Sequence, residues 1–170
     1  MKKLLLVIDM QEGFRSKASE KILPNIEKLM AHFSEDVIFC CFRNEKNSFF
    51  EKTLHWKRFQ KESDVALMKE LQSYCHKKYY HAGYTVLTSA LRNHIKNKQI
   101  EKISLCGVYT DVCISKAAMD LFDRKISVAV VADACTSLHG NGAHAAAVKS
   151  LQYVIGKKHI LSTAEITKLF

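Results

Sequence analysis

Leu4-Leu5-Leu6-Val7-Ile8-Asp9 is an unbroken apolar run closed by an acid. A strand with one wet face alternates apolar and polar residues, whereas a strand covered by helices on both faces reads as a continuous run. The run therefore predicts a central strand of a largely parallel sheet. Similar runs recur at Val37–Phe42, Lys102–Val108 and residues 126–132, with amphipathic stretches between them. Ile26, Leu29, Met30 and Phe33 follow Pro24, read as a helix start; Leu87, Leu91 and Ile95 form a second apolar stripe; Ile114, Ala117, Ala118, Leu121 and Phe122 form a third. Strands alternating with helices give an α/β fold, three layers with a mostly parallel, Rossmann-like sheet. A weaker strand over residues 73–78 and a short last one over 159–161 bring the expected total to about six. A closing helix is signalled by Ser162-Thr163-Ala164-Glu165, a capping-box pattern.

The chain has 170 residues, 48% of them hydrophobic, which fits one domain over 1–170 with a sizeable core. The leading apolar run is too short for a signal-peptide core or a membrane span, so a soluble, cytoplasmic protein with no membrane partner is expected. Six cysteines show no paired CxxC spacing, which fits reduced thiols and suggests neither a disulfide framework nor a zinc knuckle. The formal charge of +9 comes from lysines scattered among glutamates, so a solvated basic surface is expected rather than a nucleic-acid stripe.

Ligands of open α/β sheets bind beyond the carboxyl ends of the strands. That rule selects Asp9, Arg43, the Lys77/Lys78 pair, the turn from Tyr109 to Cys113, and Asp133. Cys113 opens a helix after the strand that ends at Val108, where the helix dipole and free N–H groups favour a thiolate. The other five cysteines, Cys40, Cys41, Cys75, Cys106 and Cys135, sit in strand contexts and are read as packing. Asp133 is read as orienting the loop after its strand, and His144, among alanines, as a helix-packing or hydrogen-bonding residue. Residues 43–64 form an irregular segment carrying Phe49, Phe50, Trp56 and Phe59 among charges, a candidate lid.

Three elements carry a resemblance: Asp9-Met10-Gln11 with Phe14, a lysine shortly before an aromatic, and Gly107-Val108-Tyr109-Thr110-Asp111-Val112-Cys113. Together they resemble the isochorismatase-like cysteine hydrolases, a superfamily that includes nicotinamidases and other small amidohydrolases. Asp133-Ala134-Cys135-Thr136-Ser137, His144 with Ala147, and Leu161-Ser162-Thr163 extend the likeness nearly end to end. The resemblance implies Asp9 as general base, Cys113 as nucleophile and a lysine as the third member of a triad. Aligning Tyr84 with the family's aromatic selects Lys78, and a one-residue slip selects Lys77. It also implies a cis peptide before Tyr109, with the N–H groups of Tyr109 and Cys113 as an oxyanion hole. Phe14, Trp56 and Tyr84 are candidate walls of the substrate pocket.

The expected reaction is hydrolysis of a C–N bond in a small amide-like molecule through a thioester, with no cofactor. Alternatives are cleavage of an isochorismate-type vinyl ether and a catalytically silent binding or oligomeric module. Nicotinamidases of the family hold a divalent ion through an Asp-x-His element after the second strand. The corresponding Arg43-Asn44-Glu45-Lys46-Asn47 has no such spacing, so no metal is expected. Family members are commonly dimers or larger, which implies a homo-oligomer.

Overall fold

The computed structural model describes residues 2–169. Six parallel strands, β1 (Lys3–Ile8), β2 (Val37–Phe42), β3 (Lys78–His81), β4 (Lys102–Val108), β5 (Ser127–Thr136) and β6 (Ile160–Leu161), form one sheet in the order β3-β2-β1-β4-β5-β6. Every side chain of β2 and five of the six in β1 are buried. The unbroken apolar runs are therefore strands covered on both faces, as their sequences require.

Helix α1 (Lys17–Phe33) lies against β1, β4 and β5 together with α7 (Thr163–Leu169). Helices α5 (Ser115–Asp123) and α6 (Asn141–Leu151) pack on β5 and on each other, and α4 (Ser89–Asn97) buries Leu91 and Ile95. Two short helices, α2 (Phe49–Leu54) and α3 (Glu62–Val65), lie in the crossover between β2 and β3. Among the described residues no helix is long and apolar enough to cross a membrane.

Several boundaries differ from the sequence expectation. Helix α1 begins after Ser16, whose hydroxyl accepts from the Ser19 N–H, so Pro24 lies inside the helix and not at its start. Residues 69–74 form a 3-10 turn, and the third strand starts at Lys78, where residues 73–78 were expected to be a strand. That short edge strand is mostly polar, without the hydrophobic run that marks its neighbours. The closing helix has its capping box: Ser162 N–H and Oγ donate to Glu165 Oε2, and Glu165 N–H returns a bond to Ser162 Oγ.

The strand order reverses between β1 and β4: the chain runs outward through β2 and β3, then returns beside β1. Such a switch point opens a crevice at the carboxyl ends of the two strands. Asp9 follows β1 there and Tyr109 follows β4.

Candidate active site

Ile8 pairs with Gly107 across the switch point, and the two backbones approach closely. A Cβ on Gly107 would lie 2.1 Å from the Ile8 carbonyl oxygen, and its φ of +116° is a conformation that side chains rarely adopt. Glycine is required at this contact. Asp9, one residue beyond, has φ 55°, a left-handed conformation that aspartate tolerates better than most residues. Its N–H donates to the Cys40 carbonyl, which fixes the carboxylate over the crevice floor.

After β4 the Val108–Tyr109 peptide is cis, as the resemblance implies. Residues Thr110–Ile114 then form one π-helical turn leading into α5, and Cys113 sits in that turn. The Asp9 carboxylate and the Cys113 thiol face each other at the floor of the cleft. Burial, followed by the charge of Asp9 and its hydrogen bond, pushes the thiol far above the ordinary range. The helix start alone favours a thiolate, but the sulfur faces a carboxylate in a buried position, which favours the protonated thiol. Asp9 Oδ2 is buried and accepts from no N–H or O–H group, which leaves the Cys113 thiol as the donor placed beside it.

The other carboxylate oxygen is occupied by a residue the sequence reading did not select. His81, the last residue of β3, brings its Nε2 to 2.8 Å from Asp9 Oδ1, and its Nδ1 lies 2.7 Å from the Gly83 carbonyl. Both side chains of this pair are buried, at 1% and 0% exposure.

Neither lysine lines the cleft. Lys78 lies 5.5 Å from the Tyr80 ring centroid in a separate groove with Glu62 and Cys75, and Lys77 contacts His94 Nδ1 at 2.9 Å. The choice of Lys78 is corrected by strand alternation: His81 lies three residues further on and therefore faces the opposite way. With the strand ending at His81, not Lys78, His81 is the polar residue at its carboxyl end.

The cleft has a volume of about 300 Å³. Phe14, Trp56 and Tyr84 are among its lining residues, with Phe42, Phe50 and His139. Phe14 meets Tyr109 edge-on at 5.4 Å, and Phe50 meets Tyr84 at 5.1 Å. No lysine or arginine is among the lining residues.

The segment 43–64 forms one wall through Phe50, Leu54 and Trp56. Gln11, fully buried, pins both of its ends: Oε1 accepts from the Phe42 N–H, and Nε2 donates to the carbonyls of Phe42 and Val65, each bond 2.7–2.8 Å. Within the segment, Asn44 Nδ2 donates to the carbonyls of Trp56 and Arg58. Arg43, selected by the strand-end rule, pairs with Glu62 at 2.7 Å.

Two further residues serve architecture. Asp133 lies within β5, and its Oδ1 accepts from the N–H and hydroxyl of Thr163 at the start of α7. His144 Nδ1 contacts Thr110 Oγ1 at 2.8 Å, bracing the turn that carries Cys113. Among the described residues no cluster of three or more His, Cys, Asp or Glu side chains is arranged to hold a metal ion.

The chain is similar to several known proteins. Residues 3–165 match the Isochorismatase domain family. Isochorismatase domain-containing protein 2 of Xenopus laevis is 39% identical over 62 residues, 36% of this chain and 30% of that protein. The Bos taurus protein of the same name is 54% identical over 39 residues, 23% of this chain and 19% of its own length. These matches thus span less than a third of either relative. In fold, the chain superposes on an isochorismatase-like hydrolase from Alkaliphilus metalliredigens with a TM-score of 0.88, covering 99% of each chain at 17% identity. The pyrazinamidase/nicotinamidase of Streptococcus mutans gives 0.83 at 20% identity, covering 94% of this chain and 100% of that one. N-carbamoylsarcosine amidase of Thermoplasma acidophilum also gives 0.83, at 16% identity and 96% and 97% coverage. With its family matched over nearly its whole length and the same fold around the crevice, the chain belongs to the Isochorismatase domain family.

Proposed function

We propose that this protein is a cysteine hydrolase that cleaves a C–N bond in a small, uncharged amide-like molecule. The observation that carries the reading is the buried contact between the Cys113 thiol and the Asp9 carboxylate at the floor of an aromatic-walled cleft. A thiol held against a buried carboxylate is a nucleophile paired with its base.

On attack, the Cys113 proton passes to Asp9 Oδ2 as sulfur bonds to the amide carbon. The carbonyl π electrons move to oxygen, where the N–H groups of Tyr109 and Cys113 receive the negative charge. Donors so placed are worth about 3 kcal/mol in the transition state. Collapse breaks the C–N bond, and the amine leaves with the proton from Asp9. Asp9 then takes a proton from water as the hydroxide adds to the thioester carbon. Collapse of that adduct gives a carboxylic acid, and the thiolate recovers its proton from Asp9.

The cleft volume is at the low end for ligand pockets, which fits a small substrate. Aromatic walls without lysine or arginine favour an uncharged, flat or apolar acyl group over one carrying a carboxylate. Relatives of the same fold include proteins named nicotinamidase and carbamoylsarcosine amidase, which supports C–N cleavage as the class.

A panel of small neutral amides assayed for ammonia release tests the reading, with acid-quenched samples analysed for an acyl mass on the Cys113 peptide. Turnover with that adduct is expected. Turnover by a variant that lacks the thiol, or no turnover of any amide, would sink it.

A further inference from the structure

We propose that His81 supplies the fixed positive charge of this site: as an imidazolium clamped between Asp9 and the Gly83 carbonyl, it takes the role that the family resemblance assigns to a lysine. The argument begins with donors and acceptors. A carbonyl oxygen only accepts, so the 2.7 Å contact to Gly83 requires a proton on His81 Nδ1. A neutral ring would then present a bare Nε2 lone pair to Asp9 Oδ1 at 2.8 Å. Two facing acceptors are resolved by one more proton, and on the ring it gives a charge-assisted pair with the carboxylate.

The surroundings select that placement. Asp9 from β1 is the charged group facing the ring; the Gly83 carbonyl lies on the turn after β3, and the Phe42 ring of β2 packs edge-on at 5.6 Å. On the far side of Asp9 stand two groups that only lose charge-neutrality on deprotonation, the Cys113 thiol and the Tyr109 phenol. Burial opposes charging the ring, yet Asp9 and the Gly83 carbonyl together raise its pKa above the ordinary value. A carboxylate held ionised by an imidazolium on Oδ1 keeps Oδ2 available for the thiol proton, and the cation offsets the negative charge that appears on attack. His81 touches Asp9 rather than the substrate, so its role is to position and polarise the base.

This role rests on the hydrolase reading, but its charge state does not. A long-range ¹H–¹⁵N correlation spectrum of the wild-type protein, with the His81 signal identified by its absence from His81→Gln, reads the ring directly. Both nitrogens protonated at pH 7, with the ring titrating at lower pH in Asp9→Asn, is the expected result. A neutral His81 ring at pH 7 overturns the proposal whatever the enzyme hydrolyses.

On the best panel substrate, His81→Gln keeps a hydrogen bond to Asp9 but no charge, and kcat is expected to fall about 100-fold with KM little changed. His81→Lys restores a cation, and activity is expected to return to within about tenfold of wild type with the high-pH limb of the kcat/KM profile moved upward. Equal activity of the wild type and His81→Gln, or a high-pH limb that stays in place in His81→Lys, would remove His81 from the machinery. If instead no amide is turned over, the hydrolase reading fails and the spectrum still decides the charge.

Discussion

The cleft and the groove beside Lys78 hold nearly the same chemistry. In one, Cys113 and Asp9 line the cleft with His81 buried behind Asp9; in the other stand Cys75, Glu62 and Lys78. Each set has a thiol, a carboxylate and a cation, and burial separates them. Asp9 and His81 are enclosed, whereas the Glu62 side chain is 77% exposed and pairs with Arg43 at the surface. In water such charges are screened and interact weakly, while inside the fold a carboxylate 2.8 Å from an imidazole dominates its neighbours. A reactive constellation is therefore defined by what encloses it as much as by its residue types.

The largest effect that would break this comparison is on turnover. Cys113→Ala is expected to lower kcat at least about 1,000-fold, and Cys75→Ala to leave it within about twofold. Comparable losses in both variants would erase the distinction between the grooves.

Next comes the contact that builds the inner floor. Gly107→Ala is expected to destabilise by about 3 kcal/mol or more in urea unfolding, because the new Cβ meets the Ile8 carbonyl and the backbone cannot relax. Gly83→Ala, where a Cβ would meet nothing within 4 Å, should change stability by less than about 0.5 kcal/mol.

Trp56→Ala removes part of the aromatic wall without touching the floor. A rise in KM of about tenfold with kcat nearly unchanged is expected from steady-state kinetics. A fall in kcat alone would instead link the wall to the chemistry.

The enclosed pair also imprints stability. His81 has a folded pKa raised above 6.5, so its stabilising contribution is complete below pH 6.5 and fades as pH rises through the raised value. Urea midpoints of the wild type should fall over that window relative to those of His81→Gln. A constant difference between the two would contradict the linkage.

The smallest effect sharpens the contrast by reversing it. At pH 8 iodoacetamide should modify the half-buried Cys75 about tenfold faster than Cys113, because burial raises the outer thiol only against the opposing charge of Lys78, while deeper burial and then Asp9 push the inner one far higher. Lys78→Ala should narrow that gap and leave kcat within about twofold. Faster labelling of Cys113 would mean that its proton is not held.

How much of this was legible in the sequence follows from where the chain is apolar. β1, β2 and β4 announce themselves as continuous runs, and with them came Asp9, Cys113 and the Tyr109 turn, since each lies just beyond a run. The edge strand β3 has only one buried side chain, that of His81 itself, so nothing periodic marked its end. Placing that strand early shifted attention to Lys78 and hid His81. The thiol's protonation was equally invisible: position in the chain gave a helix start, whereas the carboxylate that governs the sulfur arrives from residue 9 through the sheet. Gln11 was quoted within a motif, but its bonds span residues that only folding brings together.

That glutamine has a consequence for how the cleft can change. Because one buried amide fastens residue 42 to residue 65, the ends of the intervening segment are set by β1 and not by the segment's own length. Closing a loop whose ends are already joined depends only weakly on how many residues it contains. Asn44 adds an internal stitch, so the wall is fastened to itself and to the sheet's rim, while the floor hangs from the ends of β1, β3 and β4. The arrangement makes the wall an exchangeable cassette: insertions and replacements between the pinned ends alter which molecules fit, and the thiol, carboxylate and imidazole beneath keep their places.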